Sequence, residues 1–80
     1  MSKQQLINID CLYLRKMMKR KRRSSSMTFR EVGVKIKSAD DYVVKIEDGK
    51  LEFLAKSTLE NIAKFLEMNY DSLLNEIRSI

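Results

Sequence analysis

The sequence predicts an all-α domain of five short helices, arranged around a central pair joined by a tight turn. Three observations predict it. Apolar residues recur three and four apart through most of the chain, the spacing of one helical face. Two stretches, Thr28 to Glu31 and Ser57 to Glu60, carry the S/T-x-x-E capping signature of a helix start. There is no proline and only two glycines, which favours helices with short connections over a sheet with many turns. At 80 residues the chain is one domain, 1–80, burying about 60–65% of its unfolded surface. A hydrophobic content of 44% lies in the globular range, so the chain should fold.

In chain order, residues 1–8 are polar and weakly patterned and read as a flexible arm. Asp10 is a fair N-cap for a first helix. Cys11, Leu14 and Met18 then form an inward stripe, widened by Leu12, Tyr13 and Met17. That helix ends in five consecutive cations, Lys19, Arg20, Lys21, Arg22 and Arg23. A solvated helix end would gain only about 0.3–1 kcal/mol per cation from the dipole, while neighbouring cations repel. Contact with phosphates, through Lys19, Arg20, Arg22 and Arg23, explains the run better. Ser24, Ser25 and Ser26 form a polar loop, and Met27 reads as a hydrophobic staple before the Thr28 cap.

Residues 28–48 read as a helix-turn-helix. Thr28 and Glu31 cap the first helix; Val32 and Ile36 share one face, and Gly33 lets another backbone approach. Lys37 and Ser38 break the pattern. The second helix begins with Ser38 or Ala39 at its cap. Asp40 and Asp41 fall in its first turn, where negative charge suits the dipole. Val43 and Ile46 face inward, and Tyr42 either joins them or faces out. Gly49 stops the helix. KLEFLAK follows as a loop, with Leu54 and Phe53 expected to pack beneath it or to serve a dimer contact. Ser57 and Glu60 cap a fourth helix with Leu59, Ile62, Ala63 and Leu66 inward. Asn69 begins a fifth with Leu73, Leu74, Ile77 and Ile80 on a broad face, which either covers the first helix or forms a dimer surface.

The chemistry of an enzyme is missing. There is no histidine to act as a general base near neutral pH, no Gly-rich phosphate loop, and Cys11 lacks a histidine partner. No Cys/His cluster could hold zinc, and no cofactor is expected. No apolar run reaches the roughly 18 residues of a membrane span. The chain start lacks the order of a signal peptide, and a single cysteine fits a reducing compartment, so the expected location is cytoplasmic. Charge is divided: residues 1–37 carry +9 and residues 38–80 carry −4, which points to a polyanion partner on one side.

Residues 27–74 resemble the Cro/repressor (Xre-like) helix-turn-helix domains of phages and bacteria. The matching marks are MTFREVGVKI, SADDYVVKIEDGK with its I-E-x-G-K ending, and TLENIAKFLEMNYDSLL. The resemblance implies a lambda-repressor-like five-helix fold that regulates transcription, with a recognition helix at about 39–48 laid in the major groove of double-stranded DNA. By position it implies base-edge contacts from Ala39, Asp40, Asp41, Tyr42 and Lys45, and phosphate contacts near Thr28, Phe29 and Lys50. It further implies a buried pair between Arg22 and Glu47. The chain departs from the family in placing Lys37 and Glu67 where glycines are usual, Phe29 where a glutamine is common, and two aspartates at the leading reading positions. An aspartate can accept from the amino group of cytosine. A homodimer through 51–54 or the C-terminal helix is expected with this function. The alternative is a protein-binding antirepressor or antitoxin, with a regulatory protein as partner and little DNA binding. A membrane-surface role for the basic first helix is set aside, because its apolar stripe is needed for the core.

Overall fold

The computed structural model describes residues 6–78. Among them are five helices: α1 (Cys11–Ser24), α2 (Phe29–Ile36), α3 (Asp40–Glu47), α4 (Lys56–Phe65) and α5 (Tyr70–Ile77). Two short strands, β1 (Leu6–Asn8) and β2 (Phe53–Ala55), pair antiparallel with Ile7 opposite Leu54. The all-α expectation therefore holds, with a small two-stranded addition. No helix among the described residues is long and apolar enough to cross a membrane.

The helix starts follow local chemistry. The Asp10 side chain accepts from the Leu12 amide at 3.1 Å, and the Asn69 side chain from the Asp71 amide at 2.9 Å. Thr28 and Glu31 form a complete capping box, side chain to backbone in both directions. α4 departs from expectation. Its N-cap is Ala55, which makes no side-chain cap bond, because β2 runs directly into the helix. Ser57 thus sits inside the first turn rather than at its cap.

Four helices end alike. After α1, α2, α3 and α4 the chain turns through a left-handed residue: Ser26, Lys37, Gly49 and Glu67, with φ of 53°, 58°, 71° and 58°. At each, an amide bonds back five residues and its predecessor bonds back three: Met27 to Arg22, Ser38 to Gly33, Lys50 to Lys45, and Met68 to Ala63. This is the Schellman pattern, which satisfies carbonyls that the helix leaves free. Only one of the four positions is glycine. The other three each carry a conformational cost of roughly 1–2 kcal/mol, which the surrounding packing must offset.

The core takes side chains from every helix and from β2. Leu14, Met18, Val32, Ile36, Val43, Ile46, Leu54, Leu59, Ile62, Leu73 and Ile77 have no solvent exposure. α5 packs against both α1 and α4, so its buried face covers the first helix. Two expectations are corrected. Residues 6–8 are not an arm: Ile7 packs against the core opposite Leu54, the Ile9 amide bonds to the Glu52 carbonyl at 2.9 Å, and the Asp10 amide to Ile77 at 2.6 Å. Residues 1–5 and Ile80, named above with the arm and the last helix, lie outside the described residues. Phe53 is not packed beneath a loop but is 51% exposed, because alternation along β2 turns Leu54 inward and Phe53 outward.

Gly33 sets how closely α2 meets the start of α3. A Cβ built there would lie 2.6 Å from the Ser38 carbonyl oxygen, a backbone atom that cannot swing aside. Gly33→Ala should therefore destabilise the domain by about 1–3 kcal/mol in urea unfolding; unchanged stability would mean the turn is looser than it stands.

Candidate nucleic-acid interface

α3 is short, and its two sides differ sharply. Val43 and Ile46 are fully buried, and Glu47 is 4% exposed. Tyr42 is half-buried and packs against the core, where burial raises its phenol pKa, with the Cys11 thiol a smaller influence in the same direction. At about 100° per residue, the remaining side carries Asp40, Asp41, Val44 and Lys45 as one strip. All four are exposed except Val44, which is half-buried.

What holds this strip outward is an ion pair beneath it. Arg22 on α1 donates from Nε and Nη2 to the two carboxylate oxygens of Glu47, at 2.8 and 3.0 Å. The Arg22 side chain is 17% exposed. The hydrogen bond to Glu47 holds the guanidinium pKa above its ordinary value. The same guanidinium lies 4.3 Å from the centre of the Phe29 ring, a cation–π contact. α1, α2 and α3 thus meet at one side chain. Cys11 adds a weaker contact, its Sγ 3.7 Å from the Ile46 carbonyl. Burial pushes that thiol up, which suits a small core group rather than a nucleophile.

The expected base-edge residues divide. Ala39, Asp40, Asp41 and Lys45 lie exposed along or beside the strip. Tyr42 does not: it turns toward the core, the inward of the two placements open from its sequence. Asp40 uses one carboxylate oxygen to accept from the Asp41 amide at 2.9 Å, so it is partly occupied as a helix-start group.

The expected phosphate residues divide further. Thr28 is committed to its capping box, leaving the amides at the start of α2 as the groups directed outward there. Phe29 lies under Arg22. Lys50 stands exposed just beyond α3, its Nζ 4.0 Å from Asp48 Oδ2. Lys19 is half-buried, while Arg20 and Arg23 are exposed. Arg22, expected on phosphates from its place in the basic run, instead spends its fork on Glu47, as the resemblance implied.

Two residues bear on the site that sequence reading passed over. Arg30 lines a shallow cleft of about 480 Å³ with Val34, Ser38, Ala39 and Asp40, so a cation stands beside the N-terminal end of the strip. Val44 sits in the strip, four residues after Asp40. Its spacing signalled this. Family models, curated proteins and solved structures give no match to this chain.

Arg22→Met should leave the Glu47 carboxylate buried without its partner and destabilise the domain by about 3 kcal/mol, measured by thermal or urea unfolding. A loss below about 1 kcal/mol, the range of exposed pairs, would show that Glu47 reaches water.

Proposed function

We propose that this domain is a sequence-specific DNA-binding transcriptional regulator of the small repressor type, cytoplasmic, that uses α2–α3 as a helix-turn-helix with α3 in the major groove. One observation carries it: α3 is anchored by a buried ion pair on one side and offers a narrow polar strip on the other, with Arg30 at one end and Lys50 just beyond the other. A helix is about 10–12 Å across with its side chains, and the major groove of B-DNA is about 12 Å wide. The resemblance of residues 27–74 to Cro/repressor domains supports the same assignment.

Roles follow from chemistry. Lys45 can donate to the acceptors of guanine, and Asp40 and Asp41 can accept from the amino group of cytosine. Val44 can meet a thymine methyl. Aspartates near phosphates oppose binding, so the grip must come from around the strip. The start of α2, Arg30, Lys50 and Lys19 supply it through backbone amides, dipole and charge. Regulators of this kind commonly bind paired half-sites as dimers about one DNA turn apart. Phe53 and Leu6 offer apolar surface for a homodimer, beside a groove lined by Ile7, Tyr70 and Leu74 together with Lys56 and Arg78.

A second function has one specific observation in its favour. The exposed side of α3 and its cap carries three acids, Asp40, Asp41 and Asp48, against Lys45. A basic protein partner would suit that balance, as in an antirepressor or antitoxin.

The two separate on binding to DNA across a salt series. Lys45→Ala should weaken binding to a duplex selected from a random pool by about tenfold or more, the cost of a lost base contact, and weaken binding to random duplex much less. Equal losses on both would remove base reading by Lys45. No retention of any duplex by the parent chain, even at low salt, would favour the protein partner.

A further inference from the structure

We infer that the outer side of α1 is a second phosphate-binding surface, formed by Lys16, Arg20 and Arg23, that holds a second DNA duplex while α3 faces the first. It goes beyond the α3 assignment and does not depend on it.

α1 carries seven cations and no acid over its 14 residues. Its contacts fix which side each cation occupies. Leu14 and Met18, without exposure, define the core side. Arg22 on Glu47, Cys11 beside Ile46 and Arg15 beside Gly49 define the side toward α3. The Tyr13 hydroxyl lies 3.7 Å from Met68 Sδ, and Lys21 Nζ lies 3.6 Å from Glu67, which define the side toward the α4–α5 turn. At about 100° per residue, Lys16, Arg20 and Arg23 fall on the side that remains, roughly opposite Leu14. All three are exposed, and none forms a salt bridge among the described residues. With Lys19 and Ser24 their aliphatic stems line an open cleft of about 560 Å³.

Helix energetics do not account for this row. Cations on adjacent turns repel, and the dipole favours only those in the last turn, which leaves out Lys16 and Arg20. A helix side of one sign calls for a partner of the opposite sign, and arginine forks suit phosphate oxygens. The row lies about 100° or more around α1 from the line of contact with α3. A straight duplex seated on α3 can touch the intermediate Lys19 but does not wrap to Arg20. A lipid surface fits less well: an interfacial helix inserts its apolar face, and that of α1 is buried in the core, leaving only Leu12, 60% exposed, near the row.

The experiment compares the full chain with the triple variant Lys16→Ala, Arg20→Ala, Arg23→Ala, using short random-sequence duplexes at low salt in analytical ultracentrifugation. Alanine is the best helix former and the sites are exposed, so an unchanged melting curve confirms that the variant is folded. At duplex excess the parent should hold one more duplex per chain than the variant. The salt slope of total binding should fall by roughly 2–3, for three phosphate contacts. Equal stoichiometry in the two proteins would overturn the second surface. So would retention on phosphatidylserine vesicles without any binding of duplex. The α3 assignment is read separately, on the duplex selected from a random pool: Lys45→Ala should weaken only the binding that the triple variant keeps. If nothing remains to be weakened while the row binds, α3 fails and the row stands.

Discussion

The Arg22–Glu47 pair is the constraint on which the arrangement depends. A guanidinium from α1 meets a nearly buried carboxylate on α3 with two short bonds, and its face rests on the first residue of α2. Taking both charges out of water is costly, so the pair need not add net stability over an apolar filling. It removes freedom instead. A bidentate fork accepts few orientations, so α3 cannot roll about its axis without breaking it. Rolling would carry Lys45 and the aspartates away from their side and bring Val43 to the surface.

The turns work to the same end. A chain with two glycines must make four left-handed helix ends, and it makes three of them with Ser26, Lys37 and Glu67. Each returns two amides to helix carbonyls, which keeps the connections short and the helices in contact. Gly33 is spent on proximity instead: it lets the Ser38 carbonyl approach α2 so closely that no side chain fits. Lys37 can occupy the turn itself because its side chain points to solvent.

Much of the fold was legible because it is local. Asp10, Thr28 with Glu31, Gly49 and Asn69 mark helix ends by chemistry acting over three or four residues, and the apolar spacing fixes the buried sides. The strands were not legible. Each has three residues, and their pairing joins segments more than forty positions apart, which no local signature encodes. Ser57 misled for a related reason: the capping signature is present, but β2 feeds the chain into α4 before reaching it. The site was legible in part. The basic run reads as one feature in sequence, yet a helix sends consecutive residues to different sides, so Lys21 meets Glu67, Arg22 meets Glu47, and Arg20 and Arg23 face away. Arg30 gains its place only once α2 and α3 lie side by side.

The most direct measurement is a two-dimensional amide NMR titration of the labelled chain with duplex DNA selected from a random pool. With α3 in the groove, the earliest and largest shifts should fall on residues 28–30, on Ala39 to Lys45 and on Lys50, while Leu54 and the β1–β2 pair stay unmoved. Shifts confined to the strands or α5, or a spectrum unchanged at low salt, would contradict DNA recognition by α3.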